Sequence, residues 1–479
     1  MKLNQECTSA VFHNRIETMK KTSARIRRIL ITPERFIPVS FLLTIIIGTL
    51  LLMLPISSAP GEKTNVLTAL FTATTSVCVT GLVVVDTYAH WSFFGQLVIL
   101  LLVQIGGLGV VSVGSMLLIV SKKKFSLGDR VLLGDALNVD LNHGLLAFLI
   151  RIFKSVFIIE GVAAVLYAIM FIPRYGFGKG LWSAIFQSVS AFCNAGMDVV
   201  GPNSMIEFRD SYFLMSLTML LIILGGLGFV VWFDVIDGIK KGIKHRLGPI
   251  VALRHLPEHT KLVLWATIIL ILTGTGVVLA AEYNNPETIG NMSLSYKILN
   301  SMFQSVTFRT AGFASVPQES LTEISCSIGY ILMFIGGSPV GTAGGVKTVT
   351  AFLVLMNAIS YIGGKKETVV FHRKVSTELM RKAAAIVTVS LSFVILMTLL
   401  LLAGEDITLT DALYEITSAL GTVGLTRGLT PRLGDYSRII VIISMYLGRI
   451  GPISMAFFFA REAGIKNSIS HSEGMFYVG

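Results

Sequence analysis

The sequence predicts an all-α membrane protein built from four tandem units. Each unit is a span, a re-entrant half-helix and a second span, and the units are set about a pseudo-fourfold axis. Three observations predict it. Hydrophobic residues make up 53% of the chain and charged residues 14%, against roughly a quarter charged in a soluble domain. Eight apolar runs are long enough to cross a hydrocarbon layer, for which about 20 residues suffice. Four stretches between them, Thr68–Leu82, Ser183–Met197, Asn300–Phe313 and Ala412–Leu425, end at or next to a glycine. From Gly81 to Gly196 is 115 residues, from Gly196 to Gly312 is 116, and from Gly312 to Gly424 is 112. So even a spacing marks an internal repeat.

In chain order, residues 1–35 form a basic segment carrying Lys20, Lys21, Arg25, Arg27, Arg28 and Arg35, with no short apolar core of the kind a cleaved signal has. The first unit, 36–120, has runs at Phe36–Pro55 and Gln96–Val120. The second, 145–233, has runs at Leu145–Ile172 and Phe213–Phe233. The third, 262–357, has Leu262–Glu282 and Ile328–Met356, and the fourth, 384–460, has Ala384–Ala403 and Ile439–Ala460. Linkers at 121–144, 234–261 and 358–383 hold most of the remaining positive charge: Lys122-Lys123-Lys124 with Arg130; Lys240, Lys241, Lys244, Arg246 and Arg254; Lys365, Lys366, Arg373, Lys374, Arg381 and Lys382. The net charge of +11 is therefore a topology signal and not the footprint of a nucleic-acid binder. Lys and Arg collect on the cytoplasmic side, which puts the linkers, the N-terminus and the tail 461–479 in the cytoplasm. Eight spans, an even number, agree with that.

The half-helices are too short to cross. Leu67–Val77 is about 11 residues, or roughly 16 Å at 1.5 Å per residue, half of a 30 Å layer. An interfacial helix outside the membrane is the competing reading for any one stretch, and four occurrences in register weigh against it. Irregular backbone at membrane depth is tolerated only where it is buried in protein or lines a water-filled path. Four such stretches imply a central pore.

The loop ends offer backbone carbonyls, Thr and Asn oxygens, and glycines free to take φ > 0. Such oxygens replace the hydration shell of a monovalent cation, and the negative C-terminal ends of inward-running half-helices favour a cation further. No acidic residue sits at these ends, which argues against a divalent ion. The competing reading, that each glycine merely ends a helix, does not explain why each follows a half-span. Cys7, Cys78, Cys193 and Cys326 stand alone, with no zinc spacing, and read as small apolar residues.

Each second span carries glycines again. Gly106-Gly107-Leu108-Gly109 and Gly225-Gly226-Leu227-Gly228 read as close helix packing through small residues. The third unit, Gly336-Gly337-Ser338-Pro339-Val340-Gly341-Thr342-Ala343-Gly344-Gly345, cannot stay a straight helix at about 1 kcal/mol per Gly and 3 per Pro. It is expected to open into a loop beneath the pore and act as a gate. Lys347 follows it, and the resemblance to a phosphate-binding loop is superficial because Val346 precedes the Lys and no strand leads in. Arg449 lies mid-span and is expected to face a wet interior. There it either holds the third-unit loop by its carbonyls or stands as a positive barrier; pairing away from the pore, with Glu160 or another buried acid, is the alternative. The role of Glu160 itself stays open.

The four units, with Val79-Thr80-Gly81-Leu82, Asn194-Ala195-Gly196, Arg309-Thr310-Ala311-Gly312-Phe313, Thr422-Val423-Gly424, Gly336-Gly337-Ser338-Pro339 and Leu447-Gly448-Arg449, resemble the Trk/Ktr/HKT superfamily of potassium transporters over nearly the whole chain. No further pair of spans precedes the first unit, as in the KtrB branch more than in TrkH. The resemblance implies potassium uptake across a bacterial cell membrane, with K+ as the transported ion and Na+ as a coupling or activating ion. It implies a selectivity filter of Val79, Thr80, Gly81, Asn194, Ala195, Gly196, Thr310, Ala311, Gly312, Thr422, Val423 and Gly424. The implied gate is Gly336, Gly337, Ser338, Pro339, Gly341, Thr342, Gly344, Gly345 and Lys347, faced by Arg449. It further implies a homodimer in membrane lipid, seated on a cytosolic KtrA-type ring that binds ATP, ADP or NAD(H), with no cofactor on this chain and no nucleic acid as partner.

Two features depart from that pattern. Ser338-Pro339-Val340-Gly341 stands where a second glycine is commoner, which is expected to stiffen the gate. Phe303 lies nine residues before its glycine, whereas Phe71, Phe186 and Tyr414 lie ten before theirs, so an uneven filter is expected. The competing class is an alternating-access carrier for an organic solute, which broken helices about a midplane site would also suit. An intramembrane enzyme is weaker, because no metalloprotease motif, aspartate pair or activated nucleophile is present.

Overall fold

The computed structural model describes residues 33–120, 145–201, 204–244 and 255–451, and their regular structure is almost entirely helical. The basic N-terminal residues through Arg28, Cys7, Lys122-Lys123-Lys124, Arg130, Arg246, Arg254 and the chain beyond Gly451 lie outside the described residues.

The chain begins with α1 (Pro33–Leu52), the half-helix α2 (Val66–Cys78), one turn α3 (Thr87–His90), α4 (Phe93–Leu108) and α5 (Val110–Val120). It continues through α6 (Leu145–Tyr175), the half-helix α7 (Phe177–Cys193), α8 (Tyr212–Leu227) and α9 (Phe229–Lys244). Next come α10 (Glu258–Glu282), the half-helix α11 (Leu294–Thr307), α12 (Glu323–Phe334) and α13 (Thr348–Ile362). A two-residue hairpin, β1 (Val369–Val370) with β2 (Arg373–Lys374), leads to α14 (Thr377–Gly404), the half-helix α15 (Leu409–Gly421) and α16 (Asp435–Ile450). Polar N-caps start many of these helices where the sequence places them: Asn65 accepts from the Leu67 N–H, Ser211 from Leu214 and Thr408 from Asp411.

Among the described residues three helices, α6, α10 and α14, are unbroken and long and apolar enough to cross a membrane. Only 33%, 33% and 28% of their most apolar stretches are buried inside the protein. The rest, including Val165, Leu272 and Leu399, exposed by 63%, 65% and 59%, forms apolar faces far larger than a water-soluble monomer shows.

Of the other expected runs, Phe36–Pro55 falls in the shorter helix α1, Ile439–Ala460 extends past the described residues, and the remaining three depart from a straight span. The pairs α4–α5 and α8–α9 bend by 97° and 99°, at Gly109 and Gly228, whose φ values are +87° and +86°. Such angles suit glycine alone without strain. Close packing, the reading given to these glycine runs, is only half of what they do. The run Ile328–Met356 opens between Phe334 and Thr348, as its glycines and Pro339 predict.

Each half-helix packs on its neighbours in sequence: α2 on α1 and α4, α7 on α6 and α8, α11 on α10, and α15 on α14 and α16. The helix after each half-helix also reaches the next half-helix. Thus α4 packs on α7, α8 on α11 and α12 on α15, and α16 returns to α2. Phe71, Phe186, Phe303 and Tyr414 are fully buried in this arrangement.

Three glycines set how close the helices come. A Cβ on Gly106 would lie 2.0 Å from the Val77 carbonyl oxygen, one on Gly225 2.0 Å from that of Phe192, and one on Gly448 2.2 Å from that of Leu420. Each carbonyl belongs to the residue four before the half-helix's terminal glycine. Gly106→Ala is therefore expected to destabilise the protein by about 1–3 kcal/mol, the usual cost of overpacking. Gly161→Ala, on α6 with nothing within 4 Å of its Cβ position, is expected to leave stability unchanged. Thermal denaturation in detergent followed by size-exclusion chromatography compares the two.

Candidate functional site

The four half-helices end in one place. α2, α7 and α15 stop at Val79, Asn194 and Thr422, which take left-handed φ of 55°, 60° and 51°. In each the next N–H bonds back to a carbonyl five residues earlier: Thr80 to Thr75, Ala195 to Ser190 and Val423 to Ser418. This is the Schellman closure of a helix. In α11 the turn is one residue tighter. Phe308 stays right-handed, Thr310 takes φ +69°, and the Ala311 N–H bonds to the Thr307 carbonyl four residues back. The shorter spacing from Phe303 to Gly312 thus becomes a different helix ending, and the four positive-φ residues still stand two before their glycines.

After these turns the glycines form a closed ring. A Cβ on Gly81 would lie 2.4 Å from the Ala195 carbonyl oxygen, one on Gly196 2.6 Å from Ala311, one on Gly312 2.4 Å from Val423, and one on Gly424 2.1 Å from Thr80. All four glycines have positive φ, at 100°, 64°, 82° and 97°. Each loop therefore leans on the peptide group of the next, and the fourth leans on the first. Hydroxyls behind the ring tie the loops to their own half-helices. Thr75 accepts from the Gly81 N–H and Ser418 from the Gly424 N–H, while Ser190 and Thr307 donate to the carbonyls of Met197 and Phe313.

One side of the ring opens into a cavity of about 450 Å³ that touches all four glycines. Its walls are residues that follow them, among them Val84, Asp86, Asp198, Ala314, Gln318 and Thr426. Burial raises the Asp198 carboxyl to about 7; the Ser204 hydroxyl and Val200 backbone oppose this, and the charge of Asp86 adds to it. Gln318, which accepts from the Tyr414 hydroxyl at 2.9 Å and from the Gln304 amide at 2.7 Å, braces the wall. The sequence reading missed Asp86, Asp198 and Gln318. A search for acids shortly after each glycine, and not only at the helix ends, would have found the two aspartates.

On the other side of the ring lies the loop Gly336–Gly345, which touches residues at and before the half-helix ends. Ser338 N–H and Thr342 N–H bond to the carbonyls of Gly226 and Gly225, and the Thr342 hydroxyl donates to Phe192 at 3.2 Å. Phe229 N–H reaches the Val340 carbonyl at 3.0 Å, and Pro339 sits against Gly228. On the far side, Gly344 leaves room for Thr422, whose hydroxyl would be 2.1 Å from a Cβ there, and Gly345 lies beside the Gly421 carbonyl. The Gly336 N–H bonds to Val346, and Gly337 accepts from the Thr348 N–H. Gly341 packs against Gly225 and Gly228.

Cationic side chains hold this loop by its carbonyls. Arg449 donates to Thr342 and Gly106, with a longer contact to Gly107 at 3.4 Å. Lys347 donates to Ala343 at 2.6 Å. Arg309, buried at 8% exposure three residues before Gly312, reaches the Gly336 carbonyl at 3.4 Å. The alternative partner for Arg449, Glu160, is engaged elsewhere: its carboxylate accepts from the Gln104 amide at 3.1 Å and stands 3.9 Å from the Cys193 sulfur. Arg309 was not singled out from sequence, although a cation inside an otherwise neutral loop was the available signal.

A family model described as "TrkH: Cation transport protein" matches residues 15–468. Among curated relatives, "Ktr system potassium uptake protein B" of Bacillus subtilis is 38% identical over 448 residues, covering 94% of this chain and 97% of that protein. "Potassium/sodium uptake protein NtpJ" of Enterococcus hirae is 36% identical over 443 residues, covering 92% and 94%. Among solved structures, the potassium transporter TrkH of Vibrio parahaemolyticus superposes with a TM-score of 0.67 at 15% identity, covering 88% of this chain and 84% of that one, which supports the fold. On both the family match and the identity of these relatives, the chain belongs to the TrkH family of cation transport proteins.

Proposed function

We propose that this chain takes up potassium across a bacterial cell membrane through the axis of the glycine ring. The reading places eight membrane-crossing segments in four units at the boundaries expected from sequence, with both termini in the cytoplasm. It makes the protein a transporter and not an enzyme. The closed ring of four loops carries the reading, because a peptide ring at four half-helix C-termini has the chemistry to replace a monovalent cation's water. The potassium uptake named for the Bacillus subtilis and Enterococcus hirae relatives supports the choice of ion.

In this proposal Val79, Thr80, Gly81 and their counterparts at 194–196, 310–312 and 422–424 form the selectivity filter. The 450 Å³ cavity is the outer vestibule, where Asp86 and Asp198 raise the local cation concentration. The loop Gly336–Gly345 is the gate on the cytoplasmic side. Arg449, Lys347 and Arg309 hold it shut while adding positive charge under the filter. Sodium acts as the coupling or activating ion, the role that the family resemblance implies; the Enterococcus hirae relative is named for potassium and sodium uptake. The working form is a homodimer on a cytosolic nucleotide-binding ring of KtrA type, the arrangement that the family resemblance implies.

Uptake of radioactive rubidium into proteoliposomes, with and without sodium, tests the reading. Saturation by an organic solute without cation flux would replace it with an alternating-access carrier. Gly312→Ser puts a Cβ 2.4 Å from the Val423 carbonyl at φ +82° and is expected to lower the potassium-to-sodium flux ratio; an unchanged ratio removes Gly312 from the filter. Arg449→Ala removes the charged hydrogen bonds, worth about 1.5–3 kcal/mol each, by which Arg449 ties Thr342 of the loop to Gly106 of α4, so uptake is expected to rise or to lose its dependence on the cytosolic ring. As pH falls from 8 to 6, Asp198 gains a proton and the vestibule loses negative charge. Uptake at low potassium is then expected to fall, and Asp198→Asn to be low and flat across the same range.

A further inference from the structure

The helix α9 has a composition that the transport path does not use. It leaves α8 at a 99° bend, so with α8 crossing the membrane, α9 runs roughly in the membrane plane and leads into the basic linker that follows it. At 100° per residue its side chains fall into three arcs. Val235, Gly238 and Gly242 turn toward the protein, where Gly242 is buried. Ile236, Ile239 and Ile243 form the next arc, exposed by 42%, 48% and 74%. Lys240, Lys244 and Lys241 form the third and are exposed.

The two acids of this helix are held first by other partners, and the charge of Asp237 reaches Lys240 and Lys241 only beside its pairing with Arg151. Arg151 of α6 holds Asp237 at 3.1 Å while lying 4.0 Å above the Phe233 ring. Thr260 at the start of α10 donates to Asp234 at 2.5 Å. Among the described residues none of the three lysines is in an ion pair. Nor does the bend require them: α5, the helix after the corresponding bend at Gly109, carries no charged residue.

We propose that α9 docks on anionic phospholipid of the cytoplasmic leaflet and that this docking bears on the loop Gly336–Gly345. The isoleucines sink into the acyl region and the lysines meet the phosphates, the arrangement of an in-plane amphipathic helix. A water-facing protein partner would leave little use for the isoleucine stripe, and a zwitterionic surface would leave the excess positive charge of this face, three lysines against one carboxylate already paired with Arg151, without counter-charge. The link to the loop is direct: the first N–H of α9, that of Phe229, bonds to the Val340 carbonyl at 3.0 Å, and Gly228 sits against the Pro339 carbonyl. A shift of α9 on the membrane is thereby felt by the segment proposed as the gate. The inference rests on the membrane-transport reading above.

The test uses the full chain in phosphatidylcholine vesicles with or without phosphatidylglycerol. A nitrobenzoxadiazole fluorophore goes on Ile243→Cys in a Cys7→Ser background, since Cys78, Cys193 and Cys326 are buried. Nitroxide-labelled phosphatidylglycerol is expected to quench it more strongly than nitroxide-labelled phosphatidylcholine. Each Lys→Gln change at 240, 241 and 244 is expected to lower that preference by roughly fivefold at low salt. Rubidium uptake in phosphatidylglycerol vesicles is expected to change in the triple variant, and to match the parent in pure phosphatidylcholine. Equal quenching by both lipids overturns the docking, as does no quenching by either, which would put a second copy or another protein on this face. A quenching preference with unchanged uptake overturns the link to the loop. Absence of rubidium uptake by the parent in every vesicle counts against the transport reading, while the quenching ratio still decides the docking.

Discussion

Where two backbones must approach with no side chain between them, only glycine leaves the room, and in this protein that close approach is made repeatedly. The ring of Gly81, Gly196, Gly312 and Gly424 is the clearest case, with each Cβ position 2.1–2.6 Å from a carbonyl oxygen of the next loop. Any larger residue would force the loops apart. Positive φ at all four adds a second reason for glycine, since a β-carbon there is strained even with room to spare. The four glycines therefore fix the radius of the ring and the direction of the chain leaving it.

The same constraint recurs one layer out. Gly106, Gly225 and Gly448 receive the carbonyls of Val77, Phe192 and Leu420, so each half-helix end is held by a backbone-to-backbone contact from the helix that follows it. Three residues on, Gly109, Gly228 and Gly451 share φ near 90°. The first two bend the chain by close to a right angle. In the first two units packing fixes α4 and α8 above the bend, and conformation redirects the chain into α5 and α9 below it. The third unit follows neither rule: its chain opens into a loop whose carbonyls are taken by Arg309, Lys347 and Arg449. Charged donors there replace the helical hydrogen bonds that Pro339 and the glycines give up.

Much of this was legible in the chain. The half-helices appear where the period placed them, and Val66–Cys78 exceeds the expected Leu67–Val77 by one residue at each end. The missing residue between Phe303 and Gly312 reappears as a tighter helix ending. The break at Gly336–Gly345 follows from its glycines and Pro339, whereas the approach of Arg449 to it was one of two placements that the sequence allowed. The bends at Gly109 and Gly228 were not legible, because a glycine chosen for close packing and one chosen for positive φ are the same letter. Arg309 escaped for another reason. Hydropathy treats a buried arginine as an interruption, and only the geometry places the Gly336 carbonyl 3.4 Å away. Asp86 and Asp198 escaped because loops of unlike length carry them to one cavity.

The uneven third unit bears on how such a ring could pass an ion and also be closed. Where Schellman endings hold α2, α7 and α15, the last carbonyls of each helix are partly taken up by the turn itself. α11 closes with a shorter bond, and its following segment brings Arg309 to the start of the loop below. The unit with the odd helix ending is thus the unit whose second helix is broken, and one side chain ties the two irregularities together. A symmetric set of four would give every second helix the same sharp bend and leave no segment long enough to lie under the ring. Breaking the repeat in one unit supplies that segment. Its anchors are spread over Gly225 and Gly226 of the second unit, Gly106 of the first by way of Arg449, and Thr422 of the fourth. A loop in contact with every other unit is placed to respond to a movement of any of them, whereas one packed only on its own unit would respond to none.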